Sequence, residues 1–134
     1  MFILILQIFL VYIFSCIIHE IGHSEAASYL GDDTARKQGR SSLNPFNHLT
    51  SSGFRKVPIK LNDSSDLILV NAMGIVANLF LIFVASLFFI VKEFQILNVI
   101  IWVNIVLVVA NSIPMKFNGT TTDGYKIIKY LINL

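Results

Sequence analysis

Charge is scarce in this chain. Asp, Glu, Lys and Arg together make up 13% of its 134 residues, against 55% in the hydrophobic set. With a mean hydropathy of +0.74, that balance falls outside ordinary soluble domains and points to a membrane. Charge is missing altogether from three stretches, Met1 to Ile18, Leu67 to Val91 and Phe94 to Met115. Each is long enough to cross a hydrocarbon core of about 30 Å as a helix. Cysteine is nearly absent too: Cys16 stands alone within the first stretch, which excludes an intrachain disulfide, leaves the redox compartment open and reads as a small buried hydrophobe. The first stretch also lacks a basic start and an A-x-A-like cleavage site, so it reads as a retained helix and not a removed leader. Nor is there a basic stripe: a net charge of +2 and a pI near 8.8, with cations scattered between apolar segments, argue against nucleic acid as a partner. The polar remainder, Gly31 to Asp66 and a tail after Lys116, is too short for a separate recognition domain, so one domain over residues 1–134 is expected.

The cations that are present set an orientation. Arg36, Lys37, Arg40, Arg55, Lys56 and Lys60 lie between the first two spans and Lys116, Lys126 and Lys129 follow the third, so nine of the ten share one side. The positive-inside rule makes that side the cytoplasm and leaves the N-terminus outside. Lys92 and Glu93 occupy the opposite turn, short enough for an antiparallel hairpin of spans. The first helix is expected to run on through Glu25 to Leu30 and stop at Gly31. If the chain leaves the membrane there, His19 and His23 lie roughly 10 to 18 Å inside that face. Between Gly39 and Pro58 the mixture of Ser, Asn, Gly and Pro with apolar residues suits short strands or a partly inserted loop. A stretch around Ser41 to Asn47 is a candidate edge for pairing with an unwound substrate, the alternative being a plug with turns at Asn44-Pro45 and Ser52-Gly53. Tyr125 to Leu134 reads as a short amphipathic helix. The expected fold is therefore an α-helical integral membrane protein: three transmembrane helices, a short membrane-associated strand or loop region between the first and second, and a short C-terminal helix.

The chemistry is concentrated in His19-Glu20-Ile21-Gly22-His23, an HExxH pattern. Two imidazoles at i and i+4 project from one helical face and can share a zinc ion, with the intervening carboxylate beside the metal's water. A glutamate in an otherwise charge-free span costs roughly 2.5 to 3.5 kcal/mol on insertion scales unless a site compensates it. Zinc in a hydrolytic site needs a third protein ligand and an open position. Asp123 is the candidate, although its place before Gly124-Tyr125-Lys126 suits an N-cap equally well and spacing leaves both readings open. His48 is the alternate ligand. Glu25 lies about 200° around the helix from His23, and Asp32, Asp33, Asp63 and Asp66 read as solvated.

Four landmarks in order resemble the site-2 protease family of intramembrane zinc peptidases. HEIGHSEAASYLG resembles the family's zinc helix, and Gly39-Arg40 with Leu43-Asn44-Pro45 resembles its membrane-inserted strand region. Gly74-Ile75-Val76-Ala77-Asn78 resembles its glycine-proline-x-x-asparagine, with Ile75 in the proline's place. Asn111-Ser112-Ile113-Pro114 with Asp123-Gly124 resembles its asparagine-x-x-proline and aspartate-glycine motif, across a connection about four residues longer than the commonest version, where Asn118-Gly119 offers a turn. The resemblance covers nearly the whole chain. It implies zinc, one ion per chain, held by His19, His23 and Asp123, with Glu20 as general base. It further implies that Asn78 helps hold the scissile carbonyl or its oxyanion, the plainer alternative being an interhelical hydrogen bond, and that Asn111 is structural or lines the site.

The function so implied is hydrolysis of a peptide bond in or near the membrane segment of a small membrane protein or peptide. The expected partners are that membrane-embedded substrate and the lipid bilayer, in a bacterial or archaeal cell membrane, with oligomeric state left open. The rival is a catalytically inactive, zinc-site-bearing binding or immunity-type protein, against which the intact Glu20 argues. A channel or transporter would carry more polar residues along spans two and three than Asn78, Asn98, Asn104 and Asn111.

Overall fold

A computed structural model describes residues 1–50, 53–54, 58–117 and 119–133. Its long helices follow the charge-free stretches. Helix α1 (Phe2–Tyr29) continues well past Ile18, about 42 Å in all, and ends where Gly31 turns the chain at φ +96°. After the single turn α2 (Thr34–Lys37) and the loop, α3 (Ser64–Val91) starts at Asp63, whose side chain accepts from the Ser65 N–H. Lys92 to Phe94 form the reversal into α4 (Gln95–Ser112). A short helix α5 (Asp123–Ile132) completes the described chain. Helices α1, α3 and α4 are long and apolar enough to span a membrane.

Packing is inverted relative to a water-soluble bundle. Phe80, Phe83, Phe88 and Trp102 are exposed, while Ser15, Asn71, Asn78 and Asn104 are fully buried or nearly so. Between apolar solvents on both sides, helices associate through close backbone approach and interhelical hydrogen bonds, which small and polar residues supply. Gly22 illustrates the approach: a Cβ there would stand 2.6 Å from the Met73 carbonyl oxygen of α3.

The connection after α1 decides between the two readings of Ser41 to Asn47 in favour of the turn at Asn44-Pro45, and departs from expectation at Asp32. Ser41 to Asn47 is not a strand but a series of bends closing in a 3-10 turn at Pro45–Asn47. Asn44 caps that turn by accepting from the Phe46 N–H, and Pro45 has no N–H to give to a strand partner. The strands lie just beyond, β1 (Leu49–Thr50) antiparallel to β2 (Gly53–Phe54), with Leu49 opposite Phe54. Ser52, of the turn expected at Ser52-Gly53, lies outside the described residues, as do Arg55 and Lys56. Asp32, expected in solvent, is instead buried at the base of the loop. Its carboxylate accepts from the backbone N–H of Thr34 (3.0 Å) and of Lys60 (2.6 Å), tying the two ends of the connection together.

The long connection between α4 and α5 folds as a hairpin, β3 (Lys116–Phe117) against β4 (Thr120–Thr121). Gly119 takes φ +77° in its turn, where Asn118 lies outside the described residues. At the hairpin's base the Thr122 N–H donates to the Met115 carbonyl (3.1 Å) and its hydroxyl donates to Ile113 (2.7 Å). The additional residues thus leave and return at one point, and α5 begins beside the end of α4.

Candidate metal centre

His19 and His23 sit one turn apart on α1, and Asp123 arrives from the first turn of α5. His19 Nε2 is 2.9 Å from Asp123 Oδ2, His23 Nε2 is 3.2 Å from the same oxygen, and the two Nε2 atoms are 3.0 Å apart. Both Nδ1 atoms are already committed: His19 Nδ1–H donates to Asn78 Oδ1 (2.6 Å), and His23 Nδ1–H donates to the Val70 carbonyl (2.7 Å). Each neutral ring therefore turns a lone pair on Nε2 toward the other ring and toward a carboxylate. Three acceptor atoms so close repel one another unless a cation lies between them. Donor atoms around a tetrahedral zinc are roughly 3.3 Å apart, and two imidazoles with a carboxylate are an ordinary zinc set. The residues fit the ion, and among the described residues this is the cluster that could hold one.

The orientation of Asn78 follows from its neighbours. Its amide nitrogen lies 3.3 Å from the Ser15 carbonyl, which can only accept, so Oδ1 must face His19. The same nitrogen donates to Asn104 Oδ1 (2.7 Å), and Asn104 in turn donates to the Ile100 carbonyl (2.8 Å) and to Ser15 Oγ (2.9 Å). One residue each from α1, α3 and α4 thus forms a closed network behind His19. Such outer partners fix the tautomer and direction of a ligating histidine. Asn78 is fully buried with both ends of its amide engaged. Its contacts lie behind the ligand, where the sequence resemblance implied a donor to substrate. Asn111 bonds its own helix at the Leu107 carbonyl.

The competing role for Asp123 is filled by its neighbour. Thr122 is the N-cap of α5, its side chain accepting from the Tyr125 N–H, which leaves the Asp123 carboxylate to the histidines. Burial works against charge on Asp123, and the Lys126 ammonium, 3.0 Å from Oδ1, works for it. Gly74 of α3 makes room for the rings: a Cβ there would come within 2.8 Å of His19 Cε1 and closer still to His23.

Glu20 is part-buried and forms an ion pair with Arg40, whose side chain is only 3% exposed. Arg40 also donates to the His48 carbonyl (3.1 Å). His48 itself is buried in the loop with Nε2 2.6 Å from the Ser42 carbonyl, away from the ligand cluster. Arg40, Asn104, Ser15 and Lys126 were not singled out from sequence. The available signals were Gly39-Arg40 within the resemblance and a polar Asn104 in an apolar span.

Comparison with known proteins gives one relative. The chain is 30% identical, over 149 aligned positions and 90% of its length, to a protein of Bacillus subtilis (strain 168) named "Putative zinc metalloprotease YwhC". It spans 66% of that relative's length. No family model matches the chain and no solved structure matches it. A chain with a two-histidine, one-aspartate cluster is thus similar, across most of its residues, to a protein named as a zinc metalloprotease.

Proposed function

We propose that the chain is an intramembrane zinc endopeptidase of the site-2 protease type, hydrolysing a peptide bond in or near the membrane segment of a small membrane protein or peptide. The observation that carries this reading is the convergence of His19 Nε2, His23 Nε2 and Asp123 Oδ2, with both Nδ1 atoms tied back, beside a glutamate within an apolar helix. Those three atoms would hold the ion. When bound, zinc polarises a carbonyl and acidifies a water molecule. Glu20 accepts the proton of the attacking water and returns it to the amide nitrogen that leaves as an amine. Asn78, Asn104 and the Val70 carbonyl keep the two rings aimed throughout. The apolar belt of α1, α3 and α4 supports a site reached from within the bilayer, and the cation asymmetry supports a cytoplasmic loop and C-terminal helix.

Glu20→Gln tests the reading, because an isosteric amide leaves the ligands alone but takes up no proton. Wild type and variant, expressed in membranes and compared by mass spectrometry of the small membrane proteome, should differ by specific cleavage products, while purified variant retains about one zinc per chain. Identical proteomes and unchanged biological activity would favour the zinc-site-bearing binding protein. The orientation fails if a reporter fused at Ser64 proves accessible from outside.

A further inference from the structure

Glu20 follows His19 directly, so α1 sends it about 100° around the helix from the ligand face. A glutamate has three side-chain torsions, and the helix alone does not fix where its carboxylate ends. Arg40 does fix it. One guanidinium nitrogen, Nη2, pairs with Glu20 Oε2 and another, Nη1, donates to the His48 carbonyl, so the fork is held at two points. The segment that carries Arg40 is itself anchored to α1 and closed on itself. Its backbone N–H donates to the Ala35 carbonyl (3.1 Å), Ser41 Oγ meets Ser24 Oγ of α1 (2.9 Å), and His48 Nε2–H donates to Ser42. Asp32 closes the base of the whole connection on Lys60. The pairing with Arg40 uses one carboxylate oxygen, Oε2.

We propose that Arg40 is a positioning residue, which holds the Glu20 carboxylate in the rotamer that reaches the attacking water. It acts through Glu20 and touches neither substrate nor metal. A planar guanidinium performs this with two donors in fixed relation, which a lysine ammonium on a flexible stem does not reproduce. The proposal rests on the reading of Glu20 as the base.

The test needs no known substrate. A peptidyl hydroxamate binds a zinc centre of this kind and gives its proton to the neighbouring base, so its affinity reports whether that base is in place. The full chain in detergent, loaded with zinc, is compared as wild type, Arg40→Met, Arg40→Lys, Glu20→Gln and the Glu20→Gln/Arg40→Met double variant. Arg40→Met and Glu20→Gln should each keep about one zinc per chain and each weaken the hydroxamate at least about tenfold. Arg40→Lys should fall between Arg40→Met and wild type, and the double variant should be no weaker than Glu20→Gln alone. Wild-type affinity in Arg40→Met, losses that multiply in the double variant, or loss of zinc in a folded Arg40→Met overturns the proposal. If Arg40→Met does not fold, Arg40→Lys decides: intermediate affinity supports positioning and wild-type affinity refutes it. A wild type without zinc, or a hydroxamate indifferent to Glu20→Gln, instead refutes the reading of Glu20 as base, and this proposal with it.

Discussion

Replacing Asn78 with leucine would separate two roles for this residue. The change deprives His19 Nδ1–H, the Ser15 carbonyl and Asn104 Oδ1 of a partner at a fully buried position. An orphaned buried group costs about 1–3 kcal/mol, although Asn104 retains its bonds to Ile100 and Ser15 Oγ. The share that falls on the metal comes through His19. Loss of a ligand's outer partner lowers metal affinity about 10- to 100-fold, or ~1.4–2.7 kcal/mol, which matches one orphaned donor. Zinc affinity would be measured by competition against a chelator of known strength, and turnover would be measured at saturating zinc. If Asn78 steers His19, affinity falls by that factor while turnover at full loading changes less. If it holds the substrate carbonyl, affinity stays and turnover falls about 10²- to 10³-fold. Unchanged zinc affinity in Asn78→Leu therefore refutes the steering role. Asn78→Asp should not restore it, because the second oxygen would face the Ser15 carbonyl and Asn104 Oδ1, acceptor against acceptor.

Asp123→Asn should weaken zinc by roughly 100-fold or more (~2.7 kcal/mol) yet leave α5 in place, since Thr122 supplies the cap; metal content and circular dichroism together check it, and normal zinc would exclude the ligand role. Gly74→Ala ought to stabilise α3 by about 1 kcal/mol on helix propensity alone, but the added methyl would press on both imidazoles, so a net loss of about 1–3 kcal/mol with reduced zinc is expected in thermal melts, and a stabilised variant with full zinc would refute the close packing of Gly74 against the two rings. For Asp32, burial opposes ionisation but hydrogen bonds from the Lys60 and Thr34 N–H groups lower its pKa below the usual carboxylate value. Its stabilisation is present above about pH 4 and is lost as pH falls through the lowered value. The melting gap between wild type and Asp32→Asn should accordingly be full at pH 7 and close in acid, and a gap that widened in acid would reverse the sign.

The spans and the two histidines were legible because each depends on local pattern: runs without charge, and a four-residue spacing that a helix turns into a shared face. What lay beyond reach was everything set by distant partners. Arg40 and Glu20 are twenty positions apart across a loop, and sequence offered Arg40 as one more cation in a topology count and as part of the Gly39-Arg40 resemblance, with no partner named. Asp32 looked like a solvated acid because the backbone N–H of Lys60 that buries it lies 28 residues away. Sequence left the Ser41 to Asn47 stretch between a pairing edge and a plug with a turn at Asn44-Pro45, and the Asn44 cap with the missing N–H of Pro45 makes the turn. Spacing left Asp123 between ligand and cap and only the resemblance favoured the ligand; Thr122 and Asp123 can each cap a helix, and tertiary contact shows which one does.

The third member of the cluster belongs to a different moment of synthesis from the other two. Asp123 follows His19 by 104 positions. At about 5–20 residues per second, a ribosome spends roughly 5–20 s between them. Asn78 follows His19 by 59 positions and Asn104 follows Ser15 by 89, so the two imidazoles are fully aimed only late in that interval. They wait on a carboxylate that arrives only when α5 folds back beneath the hairpin. A nascent chain therefore carries Glu20 and two of the three candidate ligands for some time before the third can join them. With the third candidate ligand on a helix made after the other two, a metal at this cluster is held in full only once α5 has packed back against them.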